Sequence, residues 1–295
     1  LKILVTGAGG MVGRAVRRRC EALGDLVAAF DHQSLDICNA DAVARKLDEV
    51  QPDSVINCAA WTDVDGCEVD RDRAFAANSR GPENLASASA AVNSTFVTIS
   101  TDYVFDGTKS GFYTQDDTPH PESVYGDSKL QGERLARAAH PNGTIIVRTG
   151  FIFGGGGTNF LSTVVERARR GDQLKAISDS FGTPTYAWDL ALRLRELAQL
   201  KPPGVFHVVN AGDGVSYQEF AQVALKLAGI EDPHVEGIET DSLARPAKRP
   251  RNSRLKCLMS PALGLAPLPF WKDSLKDFVS QSDRAAPSTE VAAKG

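Results

Sequence analysis

Apolar positions along this chain alternate between short continuous runs and longer stretches with helical spacing. Residues 2–6, 26–30, 54–60, 95–100 and 144–148 are runs rich in β-branched and small apolar residues, the pattern of strands buried on both faces. Between them, the stretch up to Leu23 and residues 40–50, 70–91 and 123–139 place apolar residues on one side of a helix. Strand followed by helix, repeated, predicts an α/β fold with a doubly wound parallel sheet. After Phe151 the alternation loosens. Helical patterns cover 160–170, 188–200, 216–229 and 271–281, and 204–210 reads as a strand among them.

This change of pattern suggests two parts. Residues 1–150 form the sheet domain, with part of 182–215 returning to it. Residues 151–281 form most of a smaller C-terminal lobe. Residues 282–295 are rich in Ala, Ser and Pro and are expected to be a disordered tail.

The sheet's first turn carries the first chemistry. Gly7, Gly9, Gly10 and Gly13 lie between a strand and a helix, spaced G-x-x-G-x-x-G with Gly9 in addition. Gly7 permits a tight turn, Gly10 lets backbone approach a pyrophosphate, and Gly13 lets helix and strand pack closely. The helix N-terminus offers free N–H groups and a positive dipole end to phosphates. This is the dinucleotide fingerprint of a Rossmann-type sheet. Asp31 ends the second strand, 18 positions after Gly13, where an acid commonly meets the adenosine ribose and favours NAD(H). Arg17, Arg18 and Arg19 on the preceding helix remain within reach of a 2′-phosphate. Small residues Cys58, Ala59 and Ala60 at a strand end leave room for a cofactor, and 61–65 reads as a loop shaping a substrate pocket.

The second chemical stretch runs from Ser100 to Lys129. Tyr125 and Lys129 stand four residues apart on a helix, which stacks them on one face. A neighbouring ammonium lowers a phenol's pKa, and a phenol so tuned exchanges a proton with a carbonyl or alcohol oxygen. A hydroxyl from Thr101 or Ser100 can hold the same oxygen. Residues 107–123 read as an ordered loop over this site, and Gly154 to Gly157 as a flexible link between lobes. The proline-rich basic run from Arg245 to Arg254 has two readings, a diphosphate site or a solvated charged loop.

Composition narrows the classes. The 295 residues carry a net charge of −4, so no basic field invites nucleic acid, and anionic ligands must be met by local groups. No apolar run reaches the roughly 18 residues of a membrane span. The chain enters a strand at once, with no signal peptide, and a cytoplasmic protein is expected. Cys20, Cys38, Cys58, Cys67 and Cys257 form no C-x-x-C pair, so reduced thiols are expected, with no metal site and no disulfide framework.

Six stretches together resemble one family. They are 5–13 (Val-Thr-Gly-Ala-Gly-Gly-Met-Val-Gly), 57–65 (Asn-Cys-Ala-Ala-Trp-Thr-Asp-Val-Asp) and 99–107 (Ile-Ser-Thr-Asp-Tyr-Val-Phe-Asp-Gly). The others are 124–133 (Val-Tyr-Gly-Asp-Ser-Lys-Leu-Gln-Gly-Glu), 182–186 (Gly-Thr-Pro-Thr-Tyr) and 245–253 (Arg-Pro-Ala-Lys-Arg-Pro-Arg-Asn-Ser). Over residues 2–281 the chain resembles the dTDP-4-dehydrorhamnose reductase family of the extended short-chain dehydrogenase/reductase superfamily. The Ser-Thr-Asp-Tyr-Val-Phe and Arg-Pro-x-x-Arg-Pro stretches are specific to the family; the glycine turn and Tyr-x-x-x-Lys mark only the superfamily.

The resemblance implies reduction of the C4 ketone of a dTDP-linked 6-deoxyhexulose, giving dTDP-L-rhamnose, with NADPH or NADH. It implies Tyr125 as general acid. Lys129 would hold the nicotinamide ribose and lower the Tyr pKa, and Thr101 would orient the sugar carbonyl. Cofactor contacts would come from Gly7, Gly9, Gly10, Met11, Val12 and Gly13, from Asp31, and from Cys58, Ala59, Ala60 and Thr62. Asp36 and Ile37 would meet the adenine. Val64, Asp102, Phe151 and Arg249 would meet the substrate, Phe151 standing where the family often has Trp. Some members dimerise around magnesium through acidic residues; Arg14 stands near one such position, so no metal is carried over. A monomer or homodimer is expected, with no nucleic-acid or membrane partner. Two alternatives remain open. One is another sugar-nucleotide epimerase or reductase of the superfamily; Tyr103 stands where a dehydratase has a second acid. The other is a non-catalytic regulatory subunit resembling that of methionine adenosyltransferase.

Overall fold

The computed structural model describes residues 1–285. The sheet domain is built from β1 (Lys2–Thr6), α1 (Met11–Ala22), β2 (Leu26–Phe30), α2 (Ala40–Val50) and β3 (Ser54–Asn57). It continues through α3 (Val64–Val69), α4 (Arg71–Phe75), a π-helical turn (Ala76–Arg80), α5 (Gly81–Ala91), β4 (Thr95–Thr101), α6 (Val124–Ala139) and β5 (Thr144–Thr149). The second part holds β6 (Ile152–Phe153), α7 (Phe160–Arg169), β7 (Leu174–Ile177), β8 (Phe181–Gly182), β9 (Thr185–Tyr186), α8 (Ala187–Leu200) and β10 (Gly204–His207). After these come β11 (Val215–Ser216), α9 (Tyr217–Leu227), β12 (Val235–Ile238), α10 (Met259–Ala262) and α11 (Trp271–Ala285).

Six strands pair in the order β10-β5-β4-β3-β1-β2, every pair parallel. Side chains alternate across the strands. Ile3 and Val5 pack with Val16 of α1 and Leu190 and Leu194 of α8 on one face. Leu4, between them, packs with Val43 and Leu47 of α2 and Leu85 of α5 on the other. Continuous apolar strands were the sign of this double covering. The chain crosses back to the sheet once: α8 lies on one face and β10 extends the edge beside β5.

A separate core fills the second part, where Phe153, Leu161, Tyr186, Phe220, Trp271 and Leu275 pack together. Its small two-stranded sheets pair β7 with β12, β8 with β11 and β6 with β9. Helix α11 continues to Ala285, four residues into the stretch expected to be a tail; the remainder, 286–295, lies outside the described residues. No helix among the described residues is long and apolar enough to cross a membrane.

Residues 61–91 depart from the expected loop and single helix. The helix begins earlier, at Val64, because the Asp63 carboxylate caps it, accepting from Gly66 N at 3.0 Å. It breaks at Asp70, whose carboxylate caps the next turn through Arg73 N at 3.0 Å. The π-helical turn then carries buried Asn78. Asn78 Oδ1 accepts from Trp61 N at 2.9 Å, and its Nδ2 donates to Trp61 O at 3.0 Å and to Ser128 Oγ at 3.1 Å. A Cβ on Gly132 would fall 2.1 Å from the Asn78 carbonyl oxygen, so α6 lies directly against this turn. The wide turn thus ties the end of β3 to the helix bearing Tyr125.

Candidate active site

The C-terminal ends of β1, β3 and β4 open onto a cleft of about 800 Å³ shared with the second part of the chain. Open α/β sheets bind ligands at this edge. The glycine turn forms its floor. Gly7 has φ +66°, and a Cβ there would fall 2.6 Å from the Ala59 nitrogen and the Cys58 carbonyl carbon. A Cβ on Gly13 would fall 2.2 Å from the Gly7 carbonyl oxygen. Helix α1 follows Gly10, which offers it no side-chain cap, and has no acid in its first turn. Its leading N–H groups therefore point into the cleft with a positive dipole end, a fit for the diphosphate of a dinucleotide.

Helix α6 supplies the opposite wall. Ser123 Oγ caps it, accepting from Gly126 N at 3.1 Å, and Glu68 Oε1 accepts from Val124 N at 2.8 Å. A Cβ on Gly126 would fall 2.3 Å from the Tyr103 carbonyl oxygen, which brings the helix start against the end of β4. Tyr125, Lys129, Thr101 and Asp102 therefore line one wall. Of the two hydroxyls open to sequence reasoning, Ser100 Oγ is committed to Glu133 Oε1 at 2.5 Å, which leaves Thr101 beside Tyr125.

Gly10, Met11, Val12, Gly13, Cys58, Ala59, Ala60, Thr62, Val64, Phe151 and Arg249 line the same cleft. The others sit apart from its lining. Gly7 lies beneath the turn, and Gly9 faces Asp31 across 3.5 Å from its would-be Cβ. Asp36 Oδ1 accepts from Cys38 N at 3.0 Å. Ile37 is a core residue, its side chain against Gly81.

Phe151 takes the left-handed conformation, φ +54°, which costs a β-carbon residue about 1 kcal/mol or more. Its ring lies 4.1 Å from that of Tyr217 and covers Gly182, where a Cβ would fall 2.9 Å from the ring. Strain at a cleft-lining residue points to a functional constraint. The basic run divides. Arg249 grips Asp65 through two hydrogen bonds of 3.0 and 2.7 Å and faces the cleft with Arg245. Arg251 pairs outward with Asp179 and Asp241, and Arg254 donates to Ser110 O at 2.6 Å.

A model of the RmlD substrate binding domain family matches residues 1–284. The dTDP-4-dehydrorhamnose reductase of Streptomyces griseus is 38% identical over 279 residues, 93% of this chain and 91% of that protein. The chain belongs to the dTDP-4-dehydrorhamnose reductase family. Among solved structures, the Clostridium acetobutylicum dTDP-4-dehydrorhamnose reductase is 39% identical with a TM-score of 0.91, covering 96% of this chain and all of that one. The Bacillus anthracis enzyme in complex with NADP is 32% identical, also with a TM-score of 0.91, covering 95% of this chain and 99% of that one.

In this member of the reductase family the electrostatics around Tyr125 differ from the sequence expectation. Lys129 does not meet the phenol. Its Nζ donates to the Ile99 carbonyl at 2.7 Å, and burial lowers its pKa to about 8, opposed by the charge of Glu133. The Tyr125 pKa is raised, not lowered: burial dominates, the hydrogen bond shared with Thr101 works against it, and the charges of Asp102 and Tyr103 add to it. Desolvation of the phenolate outweighs any help from the ammonium. The consequence is that Tyr125 holds its proton at neutral pH, the state a proton donor needs. Burial likewise pushes the Cys58 thiol up to about 12, so this cleft cysteine stays protonated.

Behind Lys129 lies a buried ion pair. Arg148 Nε and Nη2 donate to the two Glu133 oxygens at 2.9 and 2.7 Å. Sequence reasoning gave no role to Tyr103 or Tyr217, yet both line the cleft. Tyr103 stood in plain view beside Asp102. Tyr217 begins α9 of the second part, and no local pattern announces that packing delivers it there.

Proposed function

We propose that this protein reduces the C4 ketone of a nucleotide-linked 6-deoxyhexulose, converting dTDP-4-dehydrorhamnose to dTDP-L-rhamnose with NADPH or NADH. The observation that carries the reading is the placement of Thr101, Tyr125 and Lys129 on one wall of a cleft floored by the glycine turn. The bound dinucleotide supplies a hydride. The N–H groups of 11–13 would hold its diphosphate, Asp31 would hold the adenosine ribose, and Asp36 and Ile37 would meet the adenine edge. Cys58, Ala59, Ala60 and Thr62 leave room for it along β3. Lys129, bonded to the Ile99 carbonyl, would hold the nicotinamide ribose.

On the sugar side, Tyr125 gives its proton to the ketone oxygen while Thr101 orients that oxygen. Val64, Asp102 and Phe151 pack on the hexose, and Arg249 with Arg245 meets the diphosphate. Most of the acceleration comes from this positioning. The product is a precursor for cell-surface polysaccharide. The domain division at about residue 150 assigns cofactor binding to the sheet and sugar recognition mainly to 151–281.

The test is cofactor oxidation against a panel of keto sugars carried on thymidine, uridine or guanosine diphosphate. The thymidine-linked 4-keto-6-deoxyhexose is expected to give the highest kcat/KM. Silence with every sugar, together with a co-purifying partner protein, would favour a non-catalytic subunit.

Cofactor choice can be tested separately. The Asp31 carboxylate accepts from Ser34 Oγ at 2.7 Å and Ser34 N at 3.0 Å, and these bonds hold its pKa below the usual range. An ionised acid there repels a 2′-phosphate. Asp31→Asn is therefore expected to raise kcat/KM for NADPH relative to NADH by roughly tenfold. An unchanged ratio would remove Asp31 from cofactor selection.

A further inference from the structure

Thr101 has one hydroxyl proton and two lone pairs to distribute. Its Oγ1 donates to Asp102 Oδ1 at 3.1 Å and accepts from Tyr103 N at 3.2 Å. One lone pair is left, and Thr101 also neighbours the Tyr125 phenol. With Asp102 ionised, then, the only proton Thr101 owns points away from the place where a ketone oxygen must sit.

We propose, building on the reductase reading, that Asp102 is a positioning residue that sets the direction of the Thr101 hydroxyl. As a carboxylate it takes the Thr101 proton. As a carboxylic acid it donates to Thr101 Oγ1 and releases that proton toward the substrate oxygen. The acid form thus offers the ketone two donors, Thr101 and Tyr125, and suits reduction. The carboxylate form leaves an acceptor beside the phenol and suits the reverse oxidation of the alcohol.

The geometry around Asp102 fits a group that changes state. It is only 4% exposed, and a Cβ on Gly150 would fall 2.2 Å from its carboxyl carbon, so backbone packs directly against it. Thr101 and Ser253 give it hydrogen bonds, with the backbone of 102 and 103. The titratable groups facing it are the phenols of Tyr103 from its own turn, Tyr125 from α6 and Tyr217 from α9. Beyond them, Arg249 acts on Tyr103 and Tyr217, Arg245 on Tyr103, and Cys67 on Tyr125. Burial raises the Asp102 pKa to about 6, within reach of ordinary working conditions.

The sign follows. As pH rises through the Asp102 pKa the acid form is lost, so kcat for ketone reduction falls on that side. The Asn side chain of Asp102→Asn donates to Thr101 at every pH, as the acid form does. From about pH 5 to about pH 8, the ratio of kcat in Asp102→Asn to kcat in wild type is expected to climb roughly tenfold. A constant ratio, with KM alone raised, would overturn the proposal and leave Asp102 a sugar contact. A second measurement needs no turnover. In carbon-13 NMR of carboxyl-labelled protein, Asp102 is assigned by its loss in Asp102→Asn and then titrated. Thr101→Val removes a bond to the carboxylate, so the Asp102 titration is expected to move upward; an unmoved titration would also overturn the proposal. Wild type that turns over no keto sugar but shows the NMR coupling would sink the reductase reading and leave the hydroxyl assignment standing.

Discussion

Tyr125→Phe is expected to lower kcat for ketone reduction by roughly 10²–10⁴-fold, with cofactor affinity and thermal stability nearly unchanged. The phenol's pKa is raised by burial, so it enters the reaction protonated. Phenylalanine keeps the ring, including its edge-on contact with Tyr103 at 5.9 Å, and removes only the proton to be given. A developing alkoxide would then meet Thr101 alone. Steady-state kinetics in the reductive direction, with cofactor binding by fluorescence titration, separate the two effects. A variant with wild-type kcat would show that water or another group delivers the proton.

Glu133→Ala is expected to cost about 3–5 kcal/mol of stability. Arg148 has a side chain only 6% exposed and gives both ends of its fork to Glu133. Without that carboxylate the guanidinium is buried and uncompensated. Ser100 loses its acceptor too, and Lys129 loses a charge that opposes the lowering of its pKa by burial. The variant should therefore unfold at lower denaturant and, where it folds, weaken the ammonium that is to hold the nicotinamide ribose. The double variant Glu133→Leu with Arg148→Met removes both charges and should recover most of the loss. Equilibrium denaturation of the three proteins decides the matter; a single-variant cost below about 1 kcal/mol would mean the pair is solvated in solution.

The parallel sheet was readable because its strands are apolar on both faces, as Ile3, Leu4 and Val5 illustrate. The glycine turn was readable because steric demand selects glycine at positions 7 and 13. Tyr125, Lys129 and Thr101 were found by spacing on one helix and position at one strand end. What spacing could not give was direction. Whether Ser100 or Thr101 faces the phenol depends on Glu133, 33 residues away in sequence from Ser100. Lys129 turns to a backbone carbonyl because burial demands a partner for its ammonium. The broken helices at 64–80 depend on two aspartate caps and on Asn78, whose partners lie on the 61–65 segment and on α6. Tyr217 and the left-handed Phe151 belong to the second part, where packing and not periodicity decides which side chains reach the cleft.

Hydride transfer to one sugar carbon can be followed directly. Cofactor deuterated at the transferring position of its nicotinamide should be incubated with dTDP-4-dehydrorhamnose, and the product sugar read by NMR. Deuterium on C4 of the rhamnose, absent with Tyr125→Phe over the same interval, is the predicted result. Product without deuterium at C4, or deuterium transfer undiminished when residue 125 has no hydroxyl, would contradict the account.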